Sequence, residues 1–161
     1  MSTAALLDDA RARLAAAPRE ALGEYVQPRR ILGVARAPKI VAAGTAWHLG
    51  TLLLSDDAVF AVGEIVRSRQ GVPRGYTAES QRRRADLAAA AFRGGFAQGA
   101  TVHIAWSDLD PAAVDRGAAS GPLTLVDGVP SVRWSASGGY APLERYLDER
   151  ITLLLEPPPR A

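Results

Sequence analysis

Residues 122–134 read PLTLVDGVPSVRW, two β-rich runs joined by Asp127-Gly128. An Asp-Gly pair between such runs is typical of a two-residue type I′ hairpin. Pro130 cannot donate a hydrogen bond to a ladder, so we expect its strand to lie at a sheet edge. The stretch predicts antiparallel pairing near the end of the chain.

The elements around this hairpin follow from apolar periodicity and from glycine and proline breaks. We expect a helix from Ser2 or Thr3 to about Ala16 and a second short helix from Pro18 toward Tyr25. Strands follow in RILGVAR, in residues 38–54 and in AVFAVGEIVRSR, with a hairpin turn at residues 55–57. A helix, the strand TVHIAW, a short helix opened by Asp110-Pro111, and a last helix from Pro142 complete the order.

This order predicts an α+β fold, a single domain with a largely antiparallel sheet packed against helices. Residues 1–28 form its helical N-terminal segment, a helix lies near the C-terminus, and residues 157–161 form a proline-rich tail.

The stretch YTAESQRRRADLAAAAFRGG, residues 76–95, predicts the central helix. Thr77 is a suitable N-cap, and Gly94-Gly95 ends the helix. Ala85, Ala88 and Phe92 recur at helical spacing, flanked by Leu87 and Ala91. We expect that face to pack on the sheet.

Composition excludes several classes of protein. The chain has 161 residues, 48% of them hydrophobic and 22% charged, which favours one compact domain over disorder. No stretch approaches the ~18 apolar residues of a membrane span, and Asp8, Asp9 and Arg11 interrupt any signal-peptide core. Without cysteine there is no disulfide, thiolate nucleophile or zinc knuckle. We therefore expect a cytoplasmic protein with no membrane partner.

The net charge of +2 is unevenly distributed. Residues 67–93 hold seven arginines and two carboxylates, a local charge of +5. The candidate anion-binding residues are Arg67, Arg69, Arg74, Arg82, Arg83, Arg84 and Arg93. They can serve an acidic partner or a nucleic acid, or simply form the solvated face of a helix. Consecutive helical positions point about 100° apart, so at most two of the three adjacent arginines can join one patch.

Other candidate sites have weaker signals. His48 and His103, the only histidines, can act as acid, base or ligand if their strands are neighbours. The loop residues Ser135, Ser137, Gly138, Gly139 and Tyr140 can present backbone N–H groups to an anion, as can GAASGP at 117–122. The pairs Asp56/Asp57 and Asp108/Asp110 can form carboxylate dyads, but a turn role for Asp57 and a cap role for Asp110 are the favoured interpretation. Since HExxH and nucleotide-binding glycine motifs are absent, we predict no metal and no cofactor.

The chain also resembles a family of small actinobacterial proteins commonly labelled "glutaminase". The resemblance lies in segments spread along the chain: EYVQPRRILGVARAP, AWHLGTLLLSDD, RGYTAES, FRGGF, VHIAW, GAASGPL, VRW and YLDERI. It implies hydrolysis of the glutamine side-chain amide to glutamate and ammonia, and it assigns no catalytic residues.

Two functions follow from the sequence. The first is a non-catalytic binding or interaction domain whose basic face is residues 67–93. The second is a small amidohydrolase, a glutaminase, with a site near His48 and His103. Covalent amide hydrolysis needs an activated nucleophile beside a base. The chain has no cysteine, and its one lysine, Lys39, follows Arg36 rather than the serine of a Ser-x-x-Lys motif. We therefore favour binding.

Overall fold

A computed structural model describes residues 1–71, 75 and 78–160. The contacts divide the chain into two compact units. We call residues 1–19, 46–62 and 107–161 the terminal unit, and residues 20–45 and 63–106 the central unit.

Helices and strands are both abundant, and the predicted α+β class with a largely antiparallel sheet is confirmed. The helices are α1 (Thr3–Arg13), α2 (Glu79–Arg93), α3 (Pro111–Asp115) and α4 (Leu143–Leu155). The strands are β1 (Glu20–Val26), β2 (Lys39–Leu49), β3 (Leu52–Leu54), β4 (Val59–Ala61), β5 (Glu64–Arg67), β6 (Thr101–Ile104), β7 (Ser107–Asp108), β8 (Leu123–Val126), β9 (Val129–Arg133) and β10 (Tyr140–Pro142). Among the described residues, no helix has both the length and the apolar character needed to cross a membrane.

The terminal unit contains two antiparallel arrays of strands. The first has the order β2-β3-β4-β7, in which the last residues of β2 take part, and the second has the order β10-β9-β8. Helices α1, α3 and α4 belong to this unit. Its core joins Leu7 of α1 and the C-cap residue Leu14 to Trp47 of β2 and Leu147 of α4.

The start of α1 is capped by two residues. The Ser2 hydroxyl accepts a hydrogen bond from the Ala5 N–H. The Asp115 carboxylate, at the end of α3, accepts from the N–H groups of Thr3 at 2.8 Å and Ala4 at 3.3 Å. These bonds satisfy donors that have no partner within the helix, and the negative charge lies at the positive end of the helix dipole.

The central unit has the strand order β5-β6-β1-β2, in which the first residues of β2 take part. β5 and β6 are antiparallel, whereas β1 and β6 are parallel. Helix α2 covers one face of this sheet. Its Leu87, Ala90 and Ala91 form a buried cluster with Val66 and with apolar residues of β2 and β6.

The end of α2 is fixed by Gly94 and Gly95. A Cβ added at Gly94 would overlap the carbonyl oxygen of Ile40 on β2, so the helix can approach the strand only because residue 94 has no side chain. Gly95 has a φ of +105°, a conformation that favours glycine, and nothing lies near its added Cβ. The predicted stop at Gly94-Gly95 is confirmed.

A second short helix was predicted from Pro18 toward Tyr25, and this prediction is wrong. Residues 20–26 instead form β1, which pairs in parallel with β6. The sequence EALGEYV has helix-favouring glutamates and alanine, but tertiary pairing overrides propensity. Gly23 permits the close packing of β1, because a Cβ there would lie 2.6 Å from the side chains of Ile40 and Val102. The helical N-terminal segment is therefore only α1.

Three predicted strands also differ from the structure. Residues 38–54 form not one strand but β2 and β3, which pair with each other antiparallel. RILGVAR contains only an isolated bridge between Ile31 and Val34, and Leu32 and Gly33 between them have positive φ. The run AVFAVGEIVRSR is not one strand but β4 and β5, which pair with different neighbours. Gly63 marks the break, since a Cβ there would overlap the backbone carbonyl of Ala105.

The predicted Asp127-Gly128 hairpin is confirmed, but β9 is not an edge strand. β9 is central, between β8 and β10. Pro130 is accommodated because β10 ends opposite Ser131, one residue short of the proline. In the β8–β9 ladder, hydrogen-bonded and non-hydrogen-bonded pairs alternate from the Val126–Val129 pair at the turn. Pro130 belongs to a non-hydrogen-bonded pair, so β8 does not need a backbone N–H from it either.

The buried face of α2 is rotated from the predicted one. Leu87, Ala90 and Ala91 are buried, whereas Ala85 and Ala88 are half-buried and Phe92 is exposed. The N-cap position is Ala78, with no side-chain cap. The predicted cap, Thr77, lies outside the described residues.

We predict that Asp115→Asn destabilises the protein by a few tenths of a kcal/mol to about 1 kcal/mol at neutral pH. Burial by itself would raise the pKa of Asp115, but hydrogen bonds from Thr3 and Ala4 outweigh it and lower the pKa from 3.8. The ionised cap therefore stabilises the fold above that value and stops doing so as pH falls through the lowered pKa. Urea unfolding of wild type and variant should differ at neutral pH and converge in acid. Asp108→Asn, on exposed β7, is the control and should show no such convergence.

We predict that Gly94→Ala destabilises the protein more than Gly95→Ala. The Gly95 substitution meets only backbone strain, about 1–3 kcal/mol. The Gly94 substitution instead forces the backbones of α2 and β2 apart. Urea unfolding of the two variants checks the difference, and equal losses would show that α2 does not lie this close to Ile40.

Candidate functional site

The central unit has an open groove between α2 and β5. Its volume is about 1030 Å³, slightly above the roughly 300–1,000 Å³ of ligand pockets. One wall is β5 with the residues that follow it, and the other is the exposed side of α2. The charged and amide side chains along it are Glu64, Arg67, Arg69, Gln70, Gln81, Arg82, Arg84, Asp86 and Gln98.

Four arginines line this groove. Arg67 and Arg69 come from the end of β5, and Arg82 and Arg84 come from the first turns of α2. All four are exposed. None of them forms an ion pair with a carboxylate in the part of the chain that the structure describes.

The other arginines of the segment have different positions. Arg83 points about 100° away from each neighbour on α2, and it forms an ion pair with Glu64 at 2.7 Å. Arg93 donates from Nε and Nη2 to the carbonyl oxygen of Pro38 at 3.1 and 2.7 Å. Arg74 lies outside the described residues.

One end of the groove is closed by the chain after β5. The Arg69 N–H donates to the Ala88 carbonyl oxygen at 3.1 Å, and the Gln70 N–H donates to Gln98 Oε1 at 2.9 Å. Gly71 lies against Ala89, since a Cβ added there would be 3.2 Å from the Ala89 Cβ. These contacts hold Arg69 beside α2.

The helix wall of the groove is made of small residues. Ala85, Ala88 and Ala89 are half-buried and line it. They keep the space beside β5 open, whereas Leu87 and Ala91 on the neighbouring face fill the core. The half-buried part of the helix wall is therefore apolar, and the exposed arginines make the rim of the groove cationic.

The local charge is positive. Glu64 is paired with Arg83, which leaves Asp86 as the other carboxylate along the groove. The groove therefore has four guanidinium groups and one carboxylate outside the Arg83 ion pair, and this excess of positive charge attracts anions. Arginine binds carboxylates and phosphates in a bidentate manner.

A second groove of about 960 Å³ lies on the other side of α2 and shares Arg82, Asp86 and Glu64 with the first. Tyr25 and Trp106 line it. Tyr25 is 50% exposed, and the Trp106 Nε1–H donates to the Gly23 carbonyl oxygen at 3.1 Å.

The two histidines belong to different units, and each has a defined neighbour within its own. In the central unit, His103 on β6 has no exposed surface, and its Nε2 lies 2.5 Å from Glu20 Oε2 on β1. In the terminal unit, half-buried His48 places Nε2 2.9 Å from the Gly50 carbonyl oxygen. A joint site of the two histidines stays a prediction.

The serine- and glycine-rich loop is closed on itself. Ser135 Oγ lies 2.7 Å from Ser137 Oγ, and the Arg133 guanidinium donates to the carbonyl oxygens of Ser135 and Ala136. Gly138 and Gly139 complete the turn, with the Gly139 carbonyl accepting from the Trp134 N–H. Tyr140 begins β10, which stands between this loop and α4.

The remaining candidates have structural partners. Ser120, in GAASGP, accepts a hydrogen bond from the Asp110 N–H at 2.8 Å. Asp110 caps α3 as predicted. Asp56 pairs with Arg19 at 2.7 Å, and this hydrogen bond lowers the pKa of Asp56. Asp57 accepts from Ser55 Oγ at 3.2 Å, whereas Asp108 is exposed on β7.

Sequence reasoning missed two features of the central unit. Glu20 was assigned to a helix, so its contact with His103 could not be expected from the sequence. Ile65 belongs to the predicted strand AVFAVGEIVRSR, and nothing in that pattern indicated that its side chain is 53% exposed. Only the strand order reveals that β5 lies at the end of its sheet.

Comparison of the chain with protein-family models, curated proteins and solved structures finds no match.

Proposed function

We propose that this protein is a non-catalytic binding domain that recognises an acidic partner with the basic face of residues 67–93. The observation that supports this most is that Arg67, Arg69, Arg82 and Arg84 all line one open groove. The cytoplasmic location predicted from the sequence is part of this proposal.

Exposure favours binding over catalysis. The four arginines reach solvent and have no described carboxylate as a partner, so an incoming anion does not have to break an existing ion pair. Each charge-assisted contact is stronger than a neutral hydrogen bond. Several such contacts together raise both the affinity and the rate of encounter with an acidic partner.

Amide hydrolysis is the second candidate, from the resemblance to the family labelled glutaminase. The contact between Glu20 and His103 supports it, because a carboxylate that orients an imidazole is a common part of base-assisted hydrolysis. A general base must lie within hydrogen-bond reach of its substrate. Because His103 has no exposed surface, we rank this candidate below binding.

The arginine groove is tested by the double variant Arg82→Gln/Arg84→Gln. Glutamine has a helix propensity close to that of arginine, so the melting temperature should change little. Binding to heparin should weaken, and the slope of log affinity against log salt should fall by about one to two units, since each lost contact removes roughly one.

The matched control is Arg145→Gln/Arg160→Gln, which removes the same charge from the terminal unit. It should leave heparin binding nearly unchanged. Equal losses in the two double variants would show that only net charge matters. Absence of salt-dependent heparin binding by wild type at roughly 50 mM salt, where polyanion contacts are strong, would contradict the proposed function.

We predict negligible release of ammonia when purified protein is incubated with glutamine. The reason is the absence of a recognised nucleophile–base pair in the sequence. Turnover of about 1 per second, the low end of ordinary enzymes, would reverse our ranking if His103→Gln or His48→Gln abolished it and Arg82→Gln/Arg84→Gln did not.

A further inference from the structure

The outer edge of β5 is open in the described part of the chain. β5 is the last strand of the central-unit sheet and pairs only with β6 there. Unpaired N–H and C=O groups on such an edge can bond to an added strand.

The ladder identifies which groups face outward. One residue beyond β5, the Ser68 N–H donates to the Ala100 carbonyl oxygen at 2.9 Å. Bonded and non-bonded pairs alternate in an antiparallel ladder, so the Val66–Val102 and Glu64–Ile104 pairs are bonded. The N–H and C=O groups of Ile65 and Arg67 therefore point away from β6.

These outward groups border the arginine groove. β5 forms one wall and the small residues Ala85, Ala88 and Ala89 line the other. A strand added to an edge lies about 4.8 Å from its neighbour, beside β5 and next to α2. The exposed side chain of Ile65 offers an apolar contact at the same edge.

The positive charge of the groove favours an added strand with acidic side chains. Arg67 and Arg69 lie along the strand wall, and Arg82 and Arg84 lie along the helix wall. Carboxylate side chains on a docked segment can bond these guanidinium groups in a bidentate manner. An extended segment rich in glutamate or aspartate thus satisfies the backbone and the side chains together.

A peptide fits this groove better than a nucleic acid does. Single-stranded nucleic acids are bound by stacking of bases on aromatic side chains, and no aromatic side chain of the described residues lines this groove. Tyr25 and Trp106 line the second groove instead. Outward amide groups at alternate residues match the two-residue period of an extended peptide.

We propose that an extended acidic peptide binds as an additional strand on β5, with its carboxylates bound by Arg67, Arg69, Arg82 and Arg84. This inference rests on the proposed function and names the class of partner.

The test uses three fluorescein-labelled eight-residue peptides in which glutamate alternates with threonine. The first has a normal backbone, the second is N-methylated at every glutamate, and the third is N-methylated at every threonine. Only alternate N–H groups of an added strand bond to its neighbour. Fluorescence anisotropy should show that one methylated peptide binds at least about tenfold more weakly than the unmethylated peptide, as expected for the loss of several hydrogen bonds. The other methylated peptide should bind within about threefold of the unmethylated one.

A protein variant tests the same contact from the other side. Ile65→Pro removes an outward N–H that takes no part in the β5–β6 ladder, a position where proline is tolerated. Peptide affinity should fall by roughly threefold or more, whereas heparin binding should stay unchanged. If this variant does not fold, the comparison of the two methylated peptides still tests whether the peptide binds as an added strand.

The outcomes separate the two proposals. Equal affinity of both methylated peptides, with loss in Arg82→Gln/Arg84→Gln, would overturn strand addition while supporting an anion-binding groove. Tighter binding of a single-stranded RNA oligomer, lost in Tyr25→Ala, would overturn the peptide in favour of a nucleic acid. No salt-dependent binding of peptide, heparin or RNA would contradict the proposed function itself.

Discussion

The close approach of α2 to β2 at Gly94 constrains the whole central unit. At that point the helix backbone lies against the Ile40 carbonyl with no room for a methyl group. Its end is thereby fixed, and the apolar stripe of Leu87, Ala90 and Ala91 then sets its rotation over the sheet. Everything that α2 presents to solvent follows from that rotation, including which arginines border β5.

The arrangement of charges is a consequence of this packing. The buried stripe of Leu87, Ala90 and Ala91 leaves the arginines of α2 exposed. Arg82 and Arg84 both line the groove, from helix positions about 160° apart, and Arg83 pairs with Glu64. Exposed ion pairs contribute little to stability, about 0–1 kcal/mol. The four arginines that line the groove form no ion pair among the described residues, so they contribute little to folding, and this supports the proposed binding role.

Local signals in the sequence predict local structure well. Asp127-Gly128, Asp110-Pro111 and Gly94-Gly95 each impose backbone geometry through their own chemistry, and the structure has the hairpin, cap and stop that they imply. Residues 20–26 show the limit, because their parallel pairing with β6 joins positions about eighty apart and has no local signal.

The candidate site was likewise predicted only in part from the sequence. The arginines are visible in composition, whereas the groove depends on the edge position of β5 and on which alanines of α2 stay unburied. The edge position of β5 and the unburied alanines of α2 cannot be predicted from the sequence before the strand order is known.

The central claim is that four arginines of one groove bind an acidic ligand. Two-dimensional NMR of the arginine side-chain Nε–Hε groups during titration with the unmethylated glutamate–threonine peptide tests it most directly. The account predicts large shifts for Arg67, Arg69, Arg82 and Arg84, and small shifts for Arg133 and Arg145 in the terminal unit. Shifts of similar size at all these arginines, or shifts confined to the terminal unit, would contradict it.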